Sequence, residues 1–298
     1  MHVPVFLNEI LKIFDPKPGE TYIDATVNGG GHALAIAGLV GPKGKVVGID
    51  WDNGTIKNLQ EKFSDQKTLQ FICSNYVNIA SIVRTNHLDA ISGILFDCGF
   101  SSNQLEASQR GFSFLNDGPL DMRYNTHDNH LTAEKIINTY SEKAIADIFW
   151  RYGEERFARR IAAGIVSQRG KKRITRTRTL VDIILQSIPR KYARARIHPA
   201  TRVFQSLRIA VNDELTNIER GVREAIPVLA PSGKIAVITF HSLEDRIVKQ
   251  IFKEAEQKRV ISIITKKPIV PSSEEISVNP RSRSAKLRVA EKIESSVP

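Results

Sequence analysis

The 298-residue chain, 41% apolar and 25% charged, has the composition of a globular protein long enough for one large domain or two modest ones. No apolar run approaches the about 20 residues of a membrane helix; Met1-His2-Val3-Pro4-Val5 lacks a basic leader or signal-like core, and Cys73 and Cys98 form no C-x-x-C pair. A cytoplasmic chain with no metal site and no disulfide framework is expected, and its net charge of +11 calls for a polyanionic partner.

Thr21-Tyr22-Ile23-Asp24 reads as a short strand, and Gly31 to Leu39 as a helix that stops at Val40-Gly41-Pro42. Between them runs Asp24-Ala25-Thr26-Val27-Asn28-Gly29-Gly30-Gly31-His32. Three successive glycines at a strand-to-helix turn let backbone N–H groups approach a ligand with no Cβ in the way. Lys45 to Asp50 is the second strand, and Asp50 at its end is placed to hold the two hydroxyls of a ribose. Together these residues read as a nucleoside-cofactor pocket. The spacing is not the dinucleotide fingerprint, because Leu34 stands where the third glycine belongs. Ile56 to Phe63 and Ile79 to Thr85 are helical, Leu69 to Cys73 is the third strand, and Ile91 to Phe96 is a buried strand that delivers Asp97. This alternation predicts an α/β fold with a doubly wound parallel sheet, and Asp24, Asp50 and Asp97 all stand at the carboxyl ends of strands, where ligands collect.

Ser101 to Asn129 is loop-like, and Thr132 to Tyr140 and Glu142 to Trp150 are helical. From Arg151 to Arg208 the chain holds 16 Lys and Arg against 3 Asp and Glu, leaving a net −2 elsewhere. A block this concentrated points to nucleic-acid phosphates rather than to a merely solvated face. Strand character returns at Lys234 to Phe240, after a helix beginning near Pro199 and a turn at Ala230-Pro231-Ser232-Gly233. Ile261 to Lys266 and Lys286 to Val289 are a closing pair of strands around a polar loop, Pro268 to Pro280. The expected organisation is a sheet domain, 1–104 and 205–298, with an inserted helical, basic domain at 105–204.

Asp97 is placed to accept a hydrogen bond from an exocyclic amine and turn its nitrogen toward an electrophile; the alternative is a turn or helix cap. Cys98 would suit covalent attack on a cytosine ring, but it has no histidine base nearby in sequence and reads better as a small hydrophobe. Phe112 and Phe114, with Arg110 and Arg123, suit either an unstacked base or anchorage of their own loop. Gln205, Arg208 and Asn212 share one helix face, which the pattern alone turns to water. His241, just past a strand end, is a candidate to face substrate. Asp97 and His241 are thus the candidate catalytic residues. A nicotinamide-dependent oxidoreductase fits Asp50 but not the missing glycine or the basic insertion. A non-catalytic RNA-binding assembly factor fits the charge but not the strand-end carboxylates. Charge alone does not separate RNA from DNA.

The motifs together resemble one family, the bacterial small-subunit ribosomal RNA cytosine-N4 methyltransferases (RsmH or MraW). The matching blocks include Asp24-x-Thr26 with Gly30-Gly31-His32, Asp97-x-Gly99-x-Ser101-Ser102-x-Gln104-Leu105, and Arg110-Gly111-Phe112-Ser113-Phe114. They continue with Gly118-Pro119-Leu120-Asp121-Met122-Arg123, Tyr152-Gly153-Glu154-Glu155, His198-Pro199-Ala200-Thr201, Phe240 to Arg246, and Asn279 to Arg288. The resemblance runs from residue 2 to residue 288. It implies a Rossmann-like methyltransferase domain, S-adenosylmethionine as cofactor, and methylation of the N4 amine of a cytidine in the decoding region of small-subunit rRNA. The partner is the rRNA or the small ribosomal subunit, with no membrane; a homodimer stays open. By position, Gly30, Gly31, His32, Asp50, Tyr76, Asp97 and Gln104 would line the cofactor pocket. Asn28 stands where the family more often has glycine, Tyr76 where it has phenylalanine, and Cys98 where it has leucine.

Overall fold

The computed structural model describes residues 4–99, 110–193 and 198–294. The chain forms two compact units, Met1–Phe100 with Leu215–Pro298, and Ser101–Glu214. In chain order, α1 (Leu7–Phe14) is followed by β1 (Thr21–Asp24), α2 (Gly31–Val40), β2 (Lys45–Asp50), α3 (Asn53–Lys62), β3 (Leu69–Cys73), α4 (Ile79–Thr85) and β4 (Ile91–Asp97). Next come α5 (Ala133–Thr139), α6 (Glu142–Gly153), α7 (Ala158–Arg169), α8 (Thr177–Ser187), α9 (Arg190–Ala193) and α10 (Ala200–Asn212). The chain finishes with α11 (Glu214–Val228), β5 (Leu229–Thr239), α12 (Ser242–Gln257), β6 (Ile261–Ile263), α13 (Ser273–Val278) and β7 (Lys286–Lys292).

The first unit is built on a seven-stranded sheet of order β3-β2-β1-β4-β5-β7-β6. Its first five strands are parallel, and β7 runs antiparallel to both of its neighbours. Strand order reverses between β1 and β4, so the crevice at their carboxyl ends is the switch point where α/β sheets take ligands. Register fixes what stands there: Asp24 lies opposite Gly48 on one side and Leu95 on the other, two residues before Asp97.

Alternation along the strands buries both faces. Val47, Ile49, Ile94, Phe96, Ile235 and Val237 pack with α4, α11 and α12 on one face. Val46, Leu95, Ala236 and Ile238 pack with α1, α2 and α3 on the other. The second unit is helical, with a core of its own that includes Ile136, Phe149, Ile161, Ile165 and Leu180. It reaches Glu214 rather than ending near 204, because α10 buries Val203, Phe204, Leu207 and Val211 in that core.

Helix starts are set by local side chains. Asp52 accepts from the Gly54 N–H and begins α3 three residues before its apolar pattern does, and Thr132 and Ser141 cap α5 and α6. Three expectations are corrected. Residues 230–233 are not a free turn: they are part of β5, where the pairing with β4 jumps from Ile91–Leu229 to Gly93–Lys234 and Ser232 takes a φ of 59°. The polar 268–280 stretch holds α13, started by Ser272, whose hydroxyl accepts from the Glu275 N–H. β6 is also shorter than its apolar run and stops at Ile263.

A buried ion pair ties α12 to β7. Arg288 donates to Asp245 through Nε at 2.6 Å and Nη2 at 3.3 Å, with Lys286 Nζ 3.2 Å away on the rim. Removing the carboxylate would strand the Arg288 guanidinium, whose side chain is 8% exposed. Asp245→Ala is therefore expected to cost about 3 kcal/mol or more of stability. Denaturant unfolding checks this; a change below about 0.5 kcal/mol would show the pair to be dispensable.

Candidate active site

The turn after β1 positions the site. Asn28 adopts a φ of 48° and Gly30 a φ of 81°. Asparagine tolerates the left-handed region better than most residues, and its Nδ2 steadies the turn by donating to the Thr26 carbonyl at 3.0 Å. The substitution of Asn28 for glycine thus leaves the turn intact. Gly31 is required for packing, since a Cβ there would lie 2.3 Å from Pro4 Cγ, whereas a Cβ on Gly29 would meet nothing within 4 Å. The glycine turn thus has a packed side and an open side.

Asp50 is held by backbone donors. The Asn28 N–H donates to Oδ2 at 3.1 Å and the Asp52 N–H to Oδ1 at 2.8 Å. Burial nonetheless pushes its pKa up to about 6, with the Asp52 charge adding to the effect. Asp97 is fixed at both ends: its N–H donates to Thr26 Oγ1 at 2.5 Å, and its Oδ1 accepts from the Gly99 N–H at 3.0 Å. His32 lies beside it, 3.9 Å from Asp97 Oδ2 through Nδ1, while Nε2 is 2.9 Å from the Val5 carbonyl. A carbonyl only accepts, so Nε2 carries the hydrogen and Nδ1 turns a lone pair toward Asp97. Burial holds the imidazole below its ordinary pKa, against the pull of Asp97.

Sequence reasoning underrated Asp24. Its side chain is buried beside Asp97 and Asp50, and burial, aided by those charges, pushes its pKa up to about 8. Oδ1 accepts from the Thr26 N–H at 3.3 Å, while Oδ2 is buried without a hydrogen-bond partner. Its strand-end place was legible, but its orphaned oxygen belongs to the folded state alone.

Tyr76 follows β3 and meets Phe96 edge-on at 5.5 Å, leaving it half-buried at the same end of the sheet. Gln104 lies outside the described residues, as do Ser101, Ser102 and Leu105. Cys98 packs against the apolar cluster on one sheet face. His241 is not a free ring at the strand end. It caps α12: Nδ1 accepts from the Glu244 N–H at 3.4 Å, and Nε2 lies 3.0 Å from Glu244 Oε1. Nδ1 is thus used to hold the chain where β5 becomes α12, while Nε2 is buried without a hydrogen-bond partner.

In the second unit, the polar stripe of α10 faces inward rather than to water. Arg208 pairs with Glu214 at 2.8 Å, both side chains 8% exposed. Asn212 accepts from the Tyr124 N–H at 2.8 Å and donates to the Met122 carbonyl at 2.7 Å. A helix face cannot reveal such partners, which come from about 90 residues away in sequence. The 110–124 loop is anchored by its aromatics. Phe112 stacks on Tyr124 at 5.4 Å, and Phe114 packs against His198 and Phe204.

A cationic nucleoside fits the first unit's donor set. Buried Asp24, with one oxygen orphaned, buried Asp97 and half-buried Asp50 suit a sulfonium or ammonium group, and Asp50 suits ribose hydroxyls. Sheet and turn define a Rossmann-like domain for a nucleoside cofactor. The model of the MraW methylase family matches residues 1–293, and the chain belongs to that family, which makes the cofactor S-adenosylmethionine and the protein a methyltransferase. It is 45% identical to the Ribosomal RNA small subunit methyltransferase H of Heliobacterium mobile, over 98% of this chain and 99% of that one. It is 46% identical to the protein of the same name from Carboxydothermus hydrogenoformans, over 98% of each chain. The Brevibacillus brevis protein of that name is 44% identical, again over 98% of each.

The sign of the Asp24 effect is testable. A folded pKa near 8, above the ordinary 3.8, means the fold holds a proton that the unfolded chain has lost. Stability from this group is full below about pH 4 and declines as pH rises through about 8. A cationic ligand favours the ionised form, so its affinity should rise over the upper part of the same window. Asp24→Asn should flatten both trends in melting temperature and in calorimetric S-adenosylmethionine binding. Unchanged trends in the variant would remove Asp24 as their source.

Proposed function

We propose that this chain transfers a methyl group from S-adenosylmethionine to the N4 amine of a cytidine in the decoding region of small-subunit rRNA. The observation that carries the reading is Asp97: a carboxylate at the carboxyl end of β4, at the switch point, locked by Thr26 and Gly99 and faced by a neutral histidine. The names of the relatives support the rRNA substrate, as does the basic stretch from Arg151 to Arg208. Chemistry of this kind belongs in the cytoplasm, where ribosomal subunits are found. None of the described helices is long and apolar enough to cross a membrane.

The cytosine N4 lone pair is delocalised into the ring, so the amine is a weak nucleophile and must be oriented. S-adenosylmethionine supplies an activated methyl on a sulfonium centre. Gly30 and Gly31 form the close backbone turn, Asp50 takes the ribose, Tyr76 flanks the base, and Asp24 balances positive charge. His32 acts from behind this surface, with Nε2–H anchored on Val5 and Nδ1 toward Asp97. Asp97 accepts a hydrogen bond from the N4 amine, turns its lone pair out of conjugation and receives the proton as the new C–N bond forms. The Nδ1 lone pair of His32 then favours the protonated carboxyl. His241 serves as a positioning residue through its cap on α12. A cytidine already unpaired, or flipped out of its stack, is the form that can reach such a site. The helical second unit, which carries the basic stretch from Arg151 to Arg208, provides the grip on RNA.

Methyl-labelled S-adenosylmethionine incubated with unmodified small ribosomal subunits should place label in N4-methylcytidine after nucleoside digestion. Label in 5-methylcytidine would redirect attention to Cys98. Asp97→Asn keeps the shape but not the proton acceptor, and should lower turnover by about a hundredfold or more while cofactor affinity changes only a few-fold. Wild-type turnover in both Asp97→Asn and Asp97→Ala would rule out this role.

A further inference from the structure

The second unit carries a cavity that the proposed reaction does not use. About 640 Å³ in volume, it lies between the end of α6 and the start of α7, lined by Ala146, Asp147 and Trp150 on one side and by Arg156 to Arg160 on the other. Trp150 is 62% exposed, although α6 buries its neighbours Ile145, Ala146 and Phe149. A large indole left in solvent beside a cavity, rather than turned into the core one helix face away, is a surface with an unmet partner.

The opposite wall is cationic. Arg156 is held in place, its guanidinium 3.6 Å from the centre of the Tyr192 ring and 4.7 Å from that of Phe157. Arg159 and Arg160 are exposed and make no ion pair among the described residues. They stand in the first turn of α7, which has no acidic residue and no side-chain cap. The positive end of that helix dipole therefore adds to their field. Asp147 is the one acidic side chain lining the cavity.

We infer that this cavity binds single-stranded RNA, with a base stacked on Trp150 and the adjoining phosphates held by Arg159 and Arg160 beside the pre-ordered Arg156. An aromatic platform next to unpaired guanidinium groups is the combination that recognises an unstacked nucleotide without reading its sequence. An acidic peptide would use the arginines but has no need of the indole. The proposal rests on the reading of the chain as an RNA methyltransferase and adds a place where the substrate is held on the helical unit.

The chain has two tryptophans, Trp51 and Trp150, so the full-length protein labelled with 5-fluorotryptophan gives two fluorine resonances, assigned by Trp150→Phe. Titration with short single-stranded oligocytidine should move the Trp150 signal. Trp150→Ala should weaken RNA binding about tenfold, and Trp150→Phe should restore most of it. Arg159→Gln with Arg160→Gln should lower the slope of log affinity against log salt by about 1.4. S-adenosylmethionine binding should stay at its wild-type level in all three, showing that they remain folded. RNA affinity unchanged in Trp150→Ala and in the double arginine variant would overturn the proposal, as would a Trp150 signal that responds to polyglutamate as strongly as to RNA. If the wild type methylates no small subunits yet the Trp150 signal still follows RNA, the cavity stands and the methyl acceptor is what must be revised. If it methylates them and the cavity variants do so with unchanged KM and kcat, the cavity is refuted and the reaction stands.

Discussion

Two buried carboxylates, Asp24 and Asp97, set beside half-buried Asp50, are the constraint around which the first unit is organised. Each of Asp24, Asp50 and Asp97 ends a parallel strand, and register puts Asp24 and Asp97 on neighbouring strands at the switch point. Like charges in a buried space repel, and burial alone penalises each ion. The protein meets this cost with backbone donors: Asn28 and Asp52 for Asp50, Gly99 for Asp97, and Thr26 for Asp24. Asp24 is left short of partners and shifts toward its neutral form. The site is thus held ready for positive charge, which agrees with a sulfonium cofactor in a methyltransferase.

The same logic explains why the glycine turn cannot be varied freely. Its left-handed steps at Asn28 and Gly30 aim the Asn28 N–H at Asp50, and its third glycine leaves room for Pro4. Thr26, from the same turn, reaches Asp97. The single connection between β1 and α2, residues 25–30, therefore positions groups on β1, β2 and β4 at once. Elsewhere in the unit, Asp245 and Arg288 bring two distant sequence blocks into one buried ion pair. These polar contacts determine where the strand ends lie, while the apolar faces of the sheet supply the bulk of the burial.

The helical unit shows how far the pattern of a single element can mislead. Gln205, Arg208 and Asn212 share a face that looks solvated, yet Arg208 and Asn212 are buried and hold Glu214 and the 122–124 backbone. The loop aromatics Phe112 and Phe114 serve as anchors. Trp150, by contrast, remains exposed on a helix that buries Ile145, Ala146 and Phe149. Burial of a polar side chain depends on partners far away in sequence, and periodicity carries no information about them.

What the sequence determined by itself was local or periodic. Apolar alternation located the strands and put Asp24, Asp50 and Asp97 at their ends, the glycines located the turn, and the clustered arginines marked a basic segment. Each of these signals lies within a few residues, where covalent geometry and side-chain spacing decide the outcome. What only the tertiary structure decided depended on meetings across the chain. His32 turns to Val5 and Asp97, Thr26 takes the Asp97 N–H, and Asp24 keeps an orphaned oxygen. His241 is drawn into a helix cap, although its place after a strand had suggested a ring facing substrate. A side chain's chemistry is fixed by its composition, but its pKa, partners and exposure are set by whatever the fold packs around it, and that is a property of three dimensions.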